Sequence, residues 1–322
     1  MRSIKKLFVG LSMVGALLLG GCAKTGPIKT LEVAALNGPT GIGMVQIMEE
    51  EAGEENPEYN ITLYQSPDEI VGKVVSGEID IACVPSNMGA VLYNKTEGGI
   101  KLLGTNTLGV LYIVENGTGI TDVKELKGKT LLASGKDSTP EFVLNHILNA
   151  NGLVPGEDVQ IEFMGNHADI ASKLTTEEGI IALLPEPFVT TVLSKNENIR
   201  VAVDMNEAWN GINEMDLPMG IIIGSKKIVE ENPKEVKAFL EAYETSVKFV
   251  NENVDQAAEI VANYKIVPSV EVAKMAIPKC NIVYRDGETS KESLTKFYEI
   301  LAAENMKAVG GKLPDEAFYS IK

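Results

Sequence analysis

The stretch from residue 70 to residue 85 returns 100 residues later. Ile70 meets Ile170, Lys73 meets Lys173, Glu78 meets Glu178, Ile81-Ala82 meets Ile181-Ala182 and Pro85 meets Pro185, all at one offset without a gap. The repeat begins with helical spacing (Ile70, Val71, Val74, Val75) and ends in an apolar run, so it reads as a helix followed by a strand. A chain that repeats such a unit is restricted to two lobes of similar plan. Strand candidates at 31–36, 61–64 and 79–84 alternate with helices at 38–51, 67–75 and 86–94. The order resumes with a strand at 129–134, a helix opened by Ser138-Thr139-Pro140 and running to 149, and a strand at 159–163. This alternation implies βαβ units, a largely parallel sheet and the α/β class. An apolar strand at 217–223 leads into a helical C-terminal region. Its longest helix starts at Asn232-Pro233 and carries Val236, Phe239, Leu240, Tyr243, Val247 and Val250 on one stripe. Shorter helices at 255–264, 270–276 and 291–304 follow, with only 281–284 extended, and this region is expected to pack back onto the lobes.

The first 22 residues constrain location. Arg2, Lys5 and Lys6 precede an apolar run over 7–19, too short to cross a bilayer as a helix, and Leu19-Gly20-Gly21-Cys22 closes it. That ending resembles the lipobox of bacterial lipoproteins, which implies a signal peptide over 1–22, lipid on Cys22, a tether over 23–30 and an extracytoplasmic protein held to the membrane.

Composition narrows the partners. A net charge of −16 argues against nucleic acid. Beyond the leader only Arg200 and Arg285 remain, where a dedicated carboxylate or phosphate receptor would carry several bidentate clamps. A neutral ligand, a cation, or an anion held by backbone N–H groups fits better. Cys83 and Cys280 read as buried thiols, with a disulfide left open. His146 and His167 lie 21 residues apart with no third ligand nearby, so no metal is expected, and no cofactor motif is present. The acidic run Glu49-Glu50-Glu51 reads as a solvated helix face.

Three turns stand at the carboxyl ends of predicted strands, where open α/β sheets bind ligands. They are Gly38-Pro39-Thr40-Gly41, Ser86-Asn87 and Ser138-Thr139. Glycine permits close backbone approach, and hydroxyls at helix starts suit polar or anionic groups. Each turn equally serves as an ordinary helix cap. The sharpest local feature is Leu184-Pro185-Glu186-Pro187-Phe188, where two prolines fix the backbone around Glu186 and Phe188 offers a ring for stacking.

The lipobox, the matched lobes, SGEIDIACVPSN (76–87), DVKELKGKTLLASGKDSTPEFVLNHIL (122–148) and LLPEPFVTTVL (183–193) together resemble solute-binding proteins of the nitrate/sulfonate/taurine type, a group that also includes binders of thiamine-pyrimidine precursors. The resemblance implies a two-lobed, periplasmic-binding-protein-like (type II) fold with two interlobe crossings, near 111–114 and 217–223. Residues 31–113 and 217–322 would form lobe I and residues 114–216 lobe II. It further implies a monomer without catalysis that captures a small organic solute and delivers it to an ABC permease and its ATPase. Ligand-facing positions would be Gly38, Pro39, Thr40, Gly41, Ser86, Asn87, Ser138, Thr139, Glu186 and Phe188. Hydroxyls at helix starts match sulfonate binders in type, whereas Glu186 favours an amine, so an aminosulfonate, a sulfonate or an amine-bearing heterocycle is expected. The alternatives are a sensor lipoprotein and fold-related enzymes of the chorismate dehydratase or pyrimidine synthase kind, which work in the cytoplasm.

Overall fold

The computed structural model describes residues 29–117 and 119–320; the leader and Cys22 lie outside them. The first repeat runs β1 (Leu31–Leu36), α1 (Pro39–Ile42), α2 (Val45–Glu50), β2 (Tyr59–Tyr64), α3 (Pro67–Ser76), β3 (Ile81–Pro85), α4 (Ser86–Lys95) and β4 (Ile100–Thr107). The chain then enters the second sheet as β5 (Leu111–Asn116). The second repeat follows: β6 (Thr130–Ala133), α5 (Thr139–Ala150), β7 (Gln160–Phe163), α6 (His167–Thr176), β8 (Ile181–Pro185), α7 (Phe188–Lys195) and β9 (Ile199–Asp204). After α8 (Met205–Asn213) the chain returns to the first sheet as β10 (Gly220–Ser225), followed by α9 (Lys226–Glu231).

The first sheet has six strands and the second five, and five of them match in order. The first is ordered β11-β4-β10-β3-β1-β2, with β11 (Ile282–Asp286) at its edge, and the second β7-β6-β8-β5-β9. Strands β10 and β5 hold matched places, each antiparallel to both neighbours and each arriving directly from the other repeat; β4 is also antiparallel to both β10 and β11. The inner parallel strands β3 and β8 are buried on both faces and read as continuous apolar runs, Ile81–Pro85 and Ile181–Pro185.

Local signals explain the paired helices α3 and α6. Ser66 and Asn166 precede them at equivalent positions; the Glu69 carboxylate accepts from Ser66 N–H at 3.0 Å, and Asn166 Oδ1 accepts from Asp169 N–H at 2.9 Å. The helix expected through residue 51 is instead cut into α1 and α2 at Gly43. A Cβ there would stand 2.6 Å from Tyr243 Oη, so the backbone runs hard against the long helix α10 (Pro233–Glu252), and glycine is also the weakest helix former after proline.

The helical region packs onto both lobes. Helices α10 and α11 (Val254–Asn263) cover α2, α12 (Val270–Ala276) meets α7, and α13 (Gly287–Glu304) lies on β4, α4 and α5. One apolar core therefore runs from Ile70 and Leu92 through Phe297 and Trp209 to Val143 and Leu131. Cys83 and Cys280 are both buried and unpaired.

Candidate functional site

A cleft of about 560 Å³ opens between the carboxyl ends of the two sets of parallel strands. The walls are built from equivalent residues 100 apart: Gln65 and Gly165, Ser66 and Asn166, Pro67 and His167, Pro85 and Pro185, Met88 and Phe188. Thr107, Val110, Met219 and Gly220, from the segments that join the sheets, also line it.

Of the residues expected at the ligand, Gly38, Pro39, Thr40, Ser138, Glu186 and Phe188 line this cleft. A Cβ at Gly38 would meet nothing within 4 Å. The Thr40 hydroxyl is spent locally: it donates to Leu36 O at 3.1 Å and accepts from Leu36 N–H at 3.2 Å. Ser138 Oγ likewise donates to Gly135 O.

The other four do not line it. Gly41 is buried in α1, with its Cβ position 2.8 Å from Leu36 O, so glycine serves close packing there. Ser86 is buried; its N–H donates to Met219 O at 3.1 Å and its carbonyl accepts from Tyr298 Oη at 2.8 Å. Asn87 and Thr139 bind each other. Asn87 N–H donates to Thr139 Oγ1 at 3.1 Å, Thr139 Oγ1 donates to Asn87 Oδ1 at 3.0 Å, and Asn87 Nδ2 donates to the carbonyls of Asp137 and Ala308, each at 3.2 Å. Both side chains are buried and tie α4 of one lobe to α5 of the other.

Glu186 is 1% exposed. One carboxylate oxygen accepts from Thr190 N–H at 3.0 Å and the other from Thr190 Oγ1 at 2.9 Å, so the side chain caps the first turn of α7. Burial pushes its carboxyl up from the usual range, opposed by the Thr190 hydrogen bonds and by the Lys279 charge. Its backbone N–H donates to Val110 O at 2.9 Å, fastening the turn to the junction between the sheets.

Sequence reasoning missed His167 and Ser134. Phe188 and His167 form one aromatic wall, ring centroids 5.4 Å apart and tilted by 47°. Ser134 Oγ lies 2.6 Å from His167 Nδ1. Burial pushes the His167 imidazole down to about 4, so the ring is neutral at pH 7. The signal for His167 was available, since carrying the 100-residue offset from Pro67 lands on it.

Neither arginine reaches the cleft. Arg285 pairs with Asp216 at 2.8 Å, and Arg200 pairs with the buried Glu115. The cleft's cations, Lys95 and Lys136, and its anions Asp68 and Asp137 are all exposed residues, which leaves the interior lined by neutral polar groups, methionines and rings around the capped Glu186.

The family described as NMT1/THI5 like matches residues 54–257. The chain belongs to this NMT1/THI5-like family. The match spans the cleft walls of both repeats, from β2 through α7. No curated protein matches the sequence. Among solved structures, an ABC transporter from Parabacteroides distasonis is 23% identical, with a TM-score of 0.75 over 90% of this chain and 98% of that one. The alkanesulfonate-binding protein SsuA from Xanthomonas axonopodis pv. citri, bound to MOPS, is 12% identical with a TM-score of 0.69, covering 90% and 96%. The periplasmic nitrate-binding protein NrtA from Synechocystis PCC 6803 is 17% identical with a TM-score of 0.62, covering 76% and 69%. This NMT1/THI5-like chain thus has the two-lobed, periplasmic-binding-protein-like fold that the sequence led us to expect.

Proposed function

We propose that this protein is the extracytoplasmic receptor of an ABC importer, held to the membrane by lipid on Cys22, and that it captures a small organic solute in the interlobe cleft without transforming it. The observation that carries this reading is the cleft itself. Turns at the carboxyl ends of parallel strands in both lobes converge on it, and the segments joining the sheets lie at its floor. A ligand that touches both lobes favours their approach by its differential affinity for the closed form, with 31–113 plus 217–322 and 114–216 as the moving units. The fold neighbours, an alkanesulfonate-binding protein and a periplasmic nitrate-binding protein among them, support transport.

For the ligand, the cleft supports a sulfonate, an aminosulfonate or an amine-bearing heterocycle. It offers no arginine clamp, and Phe188 with His167 supplies a ring surface. Contacts would come from Gly38, Pro39, Thr40, Ser138 and Phe188, with Glu186 setting the polarity of the wall.

The test is a thermal-shift screen of the purified protein against taurine, alkanesulfonates, nitrate and aminopyrimidines. A ligand present at a hundredfold excess over its Kd adds about 2.7 kcal/mol to stability. Gly38→Leu places a side chain in open space and should abolish the shift while leaving the unliganded Tm nearly unchanged. A shift that survives Gly38→Leu would move the site out of the cleft, and turnover of a bound compound would sink the receptor reading. Cys22→Ala should release the protein from the membrane fraction.

A further inference from the structure

The two walls of the cleft share a backbone plan, but one of them carries a pair of side chains that the other lacks. Where α3 starts with Pro67, α6 starts with His167. The residue after β1 is Asn37, whose Oδ1 is enclosed without a partner; the residue after β6 is Ser134, which meets the His167 ring. The fold therefore does not require the pair, because the first lobe builds the same strand, turn and helix without it.

The hydroxyl favours one tautomer of the ring. Ser134 is 2% exposed, and among the described residues its Oγ has no hydrogen-bond partner other than His167 Nδ1. A buried hydroxyl proton left unpaired costs free energy. Among the described residues its one acceptor is the Nδ1 lone pair, and the arrangement that pairs the hydroxyl proton leaves Nδ1 unprotonated and places the neutral ring's proton on Nε2. Nε2 makes no hydrogen bond within the described residues, and the residue lines the cleft beside Phe188. Enclosure that holds the imidazole down to about 4 keeps the ring uncharged across the physiological range.

We propose that His167 is a specificity-determining residue that presents an uncharged Nε2–H donor to the solute, and that Ser134 is the positioning residue that fixes this tautomer. The solute group that meets it is a hydrogen-bond acceptor: a sulfonate oxygen, a carbonyl or an unprotonated ring nitrogen. An ammonium cannot take that place. This inference rests on the cleft being the solute site, but the tautomer is measurable without any ligand.

The experiment uses long-range 1H–15N spectra of the labelled protein. With two histidines in the sequence, His146→Gln assigns both rings. The proposal expects the Nε2–H form at His167 in the unliganded protein and a mixture of tautomers in Ser134→Ala. An Nδ1–H form in the unmodified protein overturns it. Taurine and ethanesulfonate are then added, with ethylammonium as the probe that lacks an acceptor. Binding of either sulfonate should move the His167 resonances. Ser134→Ala or His167→Leu should weaken it by up to about tenfold, the worth of one hydrogen bond. His167→Gln, whose amide places an N–H near the Nε2 position, should retain most of it. Sulfonate binding that leaves His167 unmoved overturns the recognition role. If no probe binds while the tautomer responds to Ser134→Ala, the positioning role stands and recognition of a sulfonate by His167 is overturned.

Discussion

At the scale of single residues, Glu186 and His167 pull in opposite directions as pH changes. The Glu186 carboxyl is pushed up by burial, so the folded chain holds that proton more tightly than the unfolded chain, and the stability it contributes is lost as pH rises through the raised value. The His167 imidazole is pushed down to about 4 from 6.5, so the unfolded chain binds that proton first, and stability is lost as pH falls from about 6.5 toward 4. We expect His167→Gln to flatten the fall in Tm on acidification across that window. Equal slopes in both proteins would show that the ring titrates as it would in water. Glu186 also serves as a cap. Glu186→Ala leaves Thr190 N–H, buried in the first turn of α7, without an acceptor and should cost roughly 1–3 kcal/mol in urea unfolding, while Glu186→Gln keeps an acceptor and most of the stability. Loss of ligand in the alanine variant alone would therefore not assign Glu186 to ligand contact; the glutamine variant separates the roles.

At the scale of elements, the instructive pair is Asn87 and Thr139. Sequence marked both as ligand-facing because each sits at a helix start after a strand, and that placement is correct. A polar side chain at such a turn satisfies its hydrogen bonds with solute or with the facing turn of the other lobe. Periodicity says nothing about which turn it faces, so the reciprocal Asn87–Thr139 bonds were not legible. The same limit hid Ser134 and His167, whose meeting depends on the spacing of β6 and β7. Strand β4 escaped for a different reason: Gly104-Thr105-Asn106-Thr107 carries turn-type residues, yet all of it is buried, with Thr105 N–H held by Ser290 Oγ at 3.0 Å. What could be read was whatever local chemistry dictates, namely the alternation of elements, the Pro-opened helices and the 100-residue repeat. Thr139→Val should cost roughly 1–3 kcal/mol because Asn87 N–H and Oδ1 are stranded in a buried junction, and Thr139→Ser should restore most of it. An unaltered urea midpoint in Thr139→Val would mean that the junction opens to water.

At the scale of the whole molecule, two lobes of this size would ordinarily be expected to unfold separately. Two features oppose that. Each sheet is completed by a strand from the other repeat: β5 lies between β8 and β9, and β10 between β3 and β4, so neither lobe is whole without both halves of the chain. The apolar core also crosses the boundary, with Trp209 between His146 at 5.0 Å and Phe297 at 5.6 Å, joining α5, α8 and α13. We therefore expect one calorimetric transition, with calorimetric and van't Hoff enthalpies in agreement. Trp209 is the only tryptophan, so its fluorescence reports this junction alone, while far-UV circular dichroism reports both sheets. The two signals should change together in urea. Phe297→Ala, which empties a fully buried ring beside Trp209, should lower the midpoint of both by the same amount, with a cost of about 3–5 kcal/mol. If the fluorescence midpoint fell while the circular dichroism midpoint stayed, the junction would melt on its own, and the lobes would be joined by their crossing segments rather than by a shared core. Coupling of the kind predicted confines relative motion of the lobes to the cleft side, because the α5–α13 side is held by the same contacts that hold the fold.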